Sequence, residues 1–150
     1  MQFAERYRPG PDLEQRLVVE VASLAARHPA GFAVRLHVLG DFYSVDYVQL
    51  WARLIEDYPA LHVFGFTARW DRHLDPIAAA LCDLVLARSD RFCIRFSNAP
   101  VERWATSTIE HPYGAPVGSI VCPQETGRTK CCSTCALCWQ TDKRICFLHH

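Results

Sequence analysis

Five cysteines fall within seventeen positions between Cys122 and Cys138, and a sixth, Cys146, follows shortly after. Thiolates are metal ligands and nucleophiles, and such density needs a use beyond packing. Cys132, Cys135 and Cys138 form an uninterrupted CxxCxxC run, which brings three sulfurs around one small volume. Cys122 can return as a fourth ligand from the far side of a loop containing Gly127. The set Cys122, Cys132, Cys135 and Cys138 therefore reads as a metal site.

Spacing also bears on which metal. Structural zinc is usually held by two separated CxxC pairs, each donating two sulfurs to a tetrahedron. Three cysteines on one segment with a remote fourth is instead the arrangement of ferredoxin-type ligation, where the run wraps one face of a cluster. A four-iron iron-sulfur cluster is the expectation, with zinc as the alternative and a disulfide-linked or metal-free tail behind both. Cys131 offers a second register, because Cys131, Cys135 and Cys138 read as CxxxCxxC, the spacing of radical-SAM enzymes. A doubled cysteine generates both registers automatically, and in those enzymes the motif follows the first barrel strand, so Cys132 is the expected ligand. Cys82 lies in an apolar helical stretch and Cys93 in an apolar strand; both read as small buried hydrophobes.

The rest of the chain must position that site. A length of 150 residues, half of them apolar, suits one domain with a small appendage. Sixteen basic and sixteen acidic side chains cancel, which speaks against an overall polyanion binder and leaves only local basic clusters. No apolar run approaches the roughly 18 residues of a membrane span, and the N-terminus lacks the layout of a signal peptide. A cytoplasmic location is expected, where reducing conditions leave thiols available to metal.

Helical and strand patterns alternate along the body. Asp12 is expected to cap a helix through Arg27, with Leu13, Leu17, Val21 and Leu24 on one face. Ala33 to Leu39 reads as a strand ending at Gly40-Asp41. Ser44 should cap a second helix through Asp57, its buried stripe formed by Val48, Trp51, Leu54 and Ile55. Leu61 to Phe66 is a second strand, Asp75-Pro76 opens a third helix running to Ala87, and Arg91 to Phe96 is a third strand. This order predicts an α/β fold with a small parallel sheet built from partial barrel-like β/α units. Residues 101–121 read as irregular, with one short strand at Val117 to Val121. The organisation expected is an α/β body over 1–121 and a cysteine-rich, metal-binding tail over 122–150, too small to supply a core of its own.

Strand ends are where a parallel sheet does chemistry. Gly40, Asp41 and Ser44, then Thr67 and Arg69, then Ser97 and Asn98 occupy those ends and are expected to form one rim for a small ligand. Gly40 permits close approach, Asp41 accepts from an amine or hydroxyl, Arg69 grips a carboxylate or phosphate, and Asn98 both donates and accepts. Ser44 also reads as a plain cap and Asp41 as a turn residue. No catalytic role is assigned to His37 or His62.

The runs Leu36-His37-Val38-Leu39-Gly40-Asp41-Phe42-Tyr43-Ser44 and Phe64-Gly65-Phe66-Thr67-Ala68-Arg69, with Tyr47, Trp51, Lys143 and the cysteine tail, resemble a phage- and mobile-element-associated family, the gene product 88-like proteins. The resemblance spans residues 12 to 148 and implies a partial barrel similar to that of radical-SAM proteins. It places Cys122, Cys132, Cys135 and Cys138 on the family's tail cysteines, and Gly40 and Asp41 where radical-SAM enzymes receive the cofactor's amino group. Further cysteines that family members carry ahead of the first strand have no counterpart here, where the first cysteine is Cys82. S-adenosylmethionine is therefore not expected to bind this chain alone.

Two functions of different classes follow. One is an iron-sulfur protein whose rim holds a small ligand, with catalysis left open. The other is a zinc-stapled, non-catalytic binding module, with Trp70, Trp104 and Trp139 near Arg69, Arg72 and Arg103 as candidate contacts to nucleic acid.

Overall fold

The computed structural model describes residues 8–149, so readings that touch residues 1–7 or His150 lie outside it. The chain runs α1 (Pro11–Arg27), β1 (Phe32–Leu36), α2 (Val45–Asp57), β2 (Leu61–Thr67), α3 (Pro76–Arg88), β3 (Phe92–Ser97), β4 (Ala105–Ile109), β5 (Ile120–Val121), α4 (Cys132–Cys135), α5 (Leu137–Gln140) and β6 (Ile145–Leu148). All six strands join one sheet in the order β1-β2-β3-β4-β6-β5, and every pairing is parallel. This is the α/β parallel architecture expected, with a cysteine-rich C-terminal region. Among the described residues no helix is long and apolar enough to cross a membrane.

Local chemistry explains most element boundaries. Ser44 Oγ accepts from the Tyr47 N–H at 3.0 Å and opens α2, while Asp75 Oδ1 accepts from the Ile77 N–H at 2.9 Å and opens α3, with Pro76 at its first position. α1 departs from expectation: Gly10 precedes it without a side-chain cap, and Asp12 lies inside the first turn, where its charge suits the positive helix end. β1 is also shorter than its apolar run. His37 takes a left-handed φ of 52°, the strand stops at Leu36, and Val38 and Leu39 turn out to solvent at 68% and 51% exposure.

The two sheet faces differ. On the outer face Leu61, Val63, Gly65 and Thr67 alternate into the interior along β2 and meet Trp51, Leu54 and Ile55 of α2 and Leu81 and Val85 of α3 in the main core. Gly65 sits where a side chain would crowd its neighbours: a Cβ there would stand 3.0 Å from Leu36 O and 3.3 Å from Ile94 Cδ1. The inner face carries Phe64 and Phe66 of β2, and the C-terminal segment packs onto it: Trp139 meets Phe64 with ring centroids 4.5 Å apart. Phe66 meets Phe147 of β6 at 5.8 Å, although three strand spacings, about 14 Å in a flat sheet, separate β2 from β6. The sheet must therefore curl around its inner face.

Residues 101–121 and the tail are more ordered than their sequence suggests. Ala105–Ile109 is a full strand, and the short strand expected at Val117 to Val121 contracts to Ile120–Val121, preceded by a single 3₁₀ turn at Pro112–Gly114. The tail also contributes β6, which lies between β4 and β5 with Ile145 and Cys146 buried. It is threaded into the sheet rather than only laid upon it.

Candidate metal centre and adjoining cavity

Backbone geometry brings the tail cysteines around. Cys122 directly follows β5, and its N–H donates to Cys146 O at 2.8 Å, which ties it to β6. A compact loop returns the chain: Thr126 N–H reaches Cys122 O at 3.2 Å and Arg128 N–H reaches Pro123 O at 2.8 Å, with Gly127 at a φ of 71°. Cys132 and Cys135 are the ends of α4, Ala136 turns left-handed with φ 58°, and Cys138 sits in α5. Cys122, Cys132, Cys135 and Cys138 thereby line one cavity of about 10 Å³, closed by Leu137, Trp139 and Ile145. Burial pushes the Cys138 thiol up to about 11; the neighbouring Arg95 charge opposes this, and Cys132, Cys122 and Cys135 add to it. Among the described residues no three His, Cys, Asp or Glu side chains are gathered into a group that could hold an ion as they stand. The four thiols share a wall, and any centre would have to draw them closer.

The remaining cysteines face elsewhere. Cys131 is exposed and its sulfur lies 3.0 Å from Ser133 Oγ and 3.2 Å from Thr134 Oγ1; those bonds pull its thiol down to about 7. Cys146 is buried within 3.4 Å of Ser107 Oγ and 3.5 Å of Ser119 Oγ. Cys93, buried beneath the tail, donates to Cys138 O at 3.3 Å.

Arg95 is the principal residue that sequence reasoning missed. Fully buried on β3, it donates through Nε to Cys138 O at 2.9 Å, through Nη1 to Lys143 O at 2.9 Å, and through Nη2 to Leu137 O at 3.1 Å and to Thr141 O. These include carbonyls that α5 leaves unpaired at its C-terminal end. A buried cation is tolerable because its donors are spent on oxygen, and it lies close enough to Cys138 for its charge to favour the thiolate there. The signal was present: an arginine interrupts the otherwise apolar run Phe92-Cys93-Ile94-Arg95-Phe96.

The structure divides the expected rim in two. Asp41 Oδ1 accepts from the Phe42 N–H at 2.7 Å and the Thr67 hydroxyl at 2.6 Å, and Oδ2 accepts from the Ala68 N–H at 2.8 Å. Arg69 donates to Phe42 O at 2.7 Å and pairs with Asp75 at 2.7 Å. These residues clasp the loop after β1 to the loop after β2, and Arg69 meets a carboxylate of the chain itself. Ser44 serves as a helix cap, and Gly40, with φ 90°, occupies an exposed turn. Ser97 and Asn98 stand apart from the clasp. They line a cavity of about 500 Å³ on the inner face, together with Arg35, Glu125 and three of the cysteines, Cys122, Cys132 and Cys138. That cavity touches residues of β1 and residues following β5, the two edges of the curled sheet.

The tryptophans divide over two grooves. Trp70 and Trp104 line one of about 290 Å³ with Arg72, Arg103 and Cys82; Trp104 and Trp139 line another of about 280 Å³ with Arg103, and Trp139 also packs against Phe64. Arg72 and Arg103 pair with Asp83 at 3.1 Å and Asp142 at 2.7 Å, which spends charge that a polyanion would need.

No curated protein and no solved structure matches the chain. The family model described as Gene product 88 matches residues 1–89, which reach from the N-terminus to just past α3. The resemblance read from the sequence extends to residue 148, whereas this match stops before β3 and leaves Cys122, Cys132, Cys135 and Cys138 outside it. Covering more than half of the chain, including the Asp41–Arg69 clasp, the match assigns this protein to the Gene product 88 family.

Proposed function

We propose that this member of a phage-type family is a metal-binding protein carrying an iron-sulfur cluster, most simply of the four-iron type, on Cys122, Cys132, Cys135 and Cys138. The observation that carries the reading is the shared cavity of those four cysteines, with Cys131 and Cys146 turned away from it. Three of the four also border the larger cavity, which offers room for a group bigger than one ion. Bound there, a cluster would supply electron transfer or a structural cross-link, and Arg95 would place a positive charge beside an anionic centre. Four thiolates leave no iron open, so S-adenosylmethionine is not expected as a ligand.

Structural zinc is the second reading, favoured by the small space between the thiols, about 10 Å³, which suits a single ion. In that version the protein works as a stapled binding module. Anaerobic purification followed by absorption spectroscopy and elemental analysis separates the two. A brown protein absorbing at about 400 nm, the region of thiolate-to-iron transitions, is the expected result. A colourless protein with one zinc per chain would establish the second reading, and a metal-free protein would defeat both.

A further inference from the structure

The larger cavity holds features that a metal centre does not use. Its volume of about 500 Å³ falls within the roughly 300–1,000 Å³ typical of small-molecule sites. Phe64, Phe66 and Phe147 give it an aromatic lining, and Ser97, Asn98 and Thr108 add hydroxyl and amide groups. Arg35 enters from the β1 edge, its guanidinium carbon 5.6 Å from the centre of the Phe66 ring.

Arg35 differs from the arginines around it. Arg69, Arg72, Arg88, Arg91 and Arg103 each meet a carboxylate, whereas among the described residues no carboxylate pairs with Arg35. Arg95 has spent its donors on carbonyls. A guanidinium steadied on a ring with its N–H groups unspent is suited to bidentate capture of a carboxylate or phosphate. Glu125, which accepts from the Leu148 N–H at 2.6 Å, also lines the cavity, with Cys122 and Cys132.

We infer that this cavity binds a small hydroxylated anion, with Arg35 gripping its phosphate or carboxylate and Ser97, Asn98 and Thr108 meeting its hydroxyl groups. None of these groups is a proposed metal ligand, while Cys122, Cys132 and Cys138 border the same cavity, so a bound anion would lie next to the metal centre. The anion grip thereby moves from Arg69, held in its clasp, to a residue on the first strand.

Saturation-transfer NMR on the purified full chain tests this with ribose 5-phosphate, citrate and uncharged ribose as probes. At least one of the two anions should bind and ribose should not; which anion binds distinguishes phosphate from carboxylate recognition. Arg35→Gln should weaken that binding roughly tenfold, the scale of a lost charge-assisted pair, while Arg35→Lys retains part of it. Arg53→Gln, an exposed change on α2, should leave binding unaltered. Circular dichroism would verify that each variant is folded, and the Lys variant serves if the Gln variant is not. No binding of either anion, equal binding of ribose, or undiminished binding in Arg35→Gln would overturn the inference.

Discussion

The two faces of the sheet are built by different physics. The outer face is covered by α2 and α3 through side chains such as Trp51, Ile55, Leu61 and Leu81, each fully buried, in a continuous apolar core. Its stability comes from removing hydrocarbon from water, which no single polar contact decides. The inner face is covered by a segment with two four-residue helices and little apolar mass. What holds that segment includes the register of β6, two aromatic contacts and one buried cation on four carbonyls. The comparison teaches that the half of the molecule carrying the candidate chemistry is the half with fewer and more specific attachments.

The largest effect should come from the outer face. Trp51→Ala leaves a cavity at the centre of α2 and should cost roughly 3–5 kcal/mol, seen as one cooperative shift of the denaturation midpoint reported equally by both faces. Arg95→Met should cost somewhat less, roughly 2–4 kcal/mol, because it strands carbonyls rather than emptying a core. Its effect should be local: hydrogen exchange should accelerate in α5 and the segment leading to β6 while β1 and β2 stay protected. Uniform loss of protection on both sides of the sheet in Arg95→Met would erase the distinction between the faces.

A smaller effect sharpens the same contrast through pH. His37 directly follows β1 with its Nδ1 buried and without a hydrogen-bond partner among the described residues, its ring edge-on to Phe42 at 4.4 Å. Burial holds its pKa below the ordinary value of 6.5, with Asp41 opposing in part. The native state therefore resists a proton that the unfolded chain accepts near 6.5, so stability is fully present above that pH and declines as pH falls below it. His37→Asn, which keeps a residue tolerant of the left-handed backbone, should flatten the loss between pH 7 and pH 5 in denaturant titrations. An unchanged slope in the variant would assign the pH dependence to other groups.

Much of the outer face was legible because burial there follows simple periods: the stripe of Val48, Trp51, Leu54 and Ile55, the caps Ser44 and Asp75, and the alternating strand Leu61–Thr67. The inner face was harder. β4 reads Ala-Thr-Ser-Thr-Ile, too polar to announce a strand, and is held by pairing to β6, a partner some forty positions away in the chain. The four-residue strand Ile145–Leu148 is too short to stand out beside the cysteines. The cysteine set was readable from spacing alone as a group that could converge, but the split of the rim was not, because residue types do not say that Arg69 would find Asp75 while Arg35 would find no acid among the described residues. Pairing of this kind depends on loop paths, which the pattern of apolar residues does not encode.

The central claim is that four particular thiols make one metal centre, and metal content per chain across a cysteine-to-serine series tests it directly. Wild-type protein purified anaerobically should carry iron and sulfide in equal amounts, Cys131→Ser and Cys146→Ser should retain them, and Cys122→Ser, Cys132→Ser, Cys135→Ser and Cys138→Ser should each lose most of them. A wild-type chain without bound metal, or a series in which Cys131→Ser empties the site while Cys132→Ser keeps it, would contradict the account.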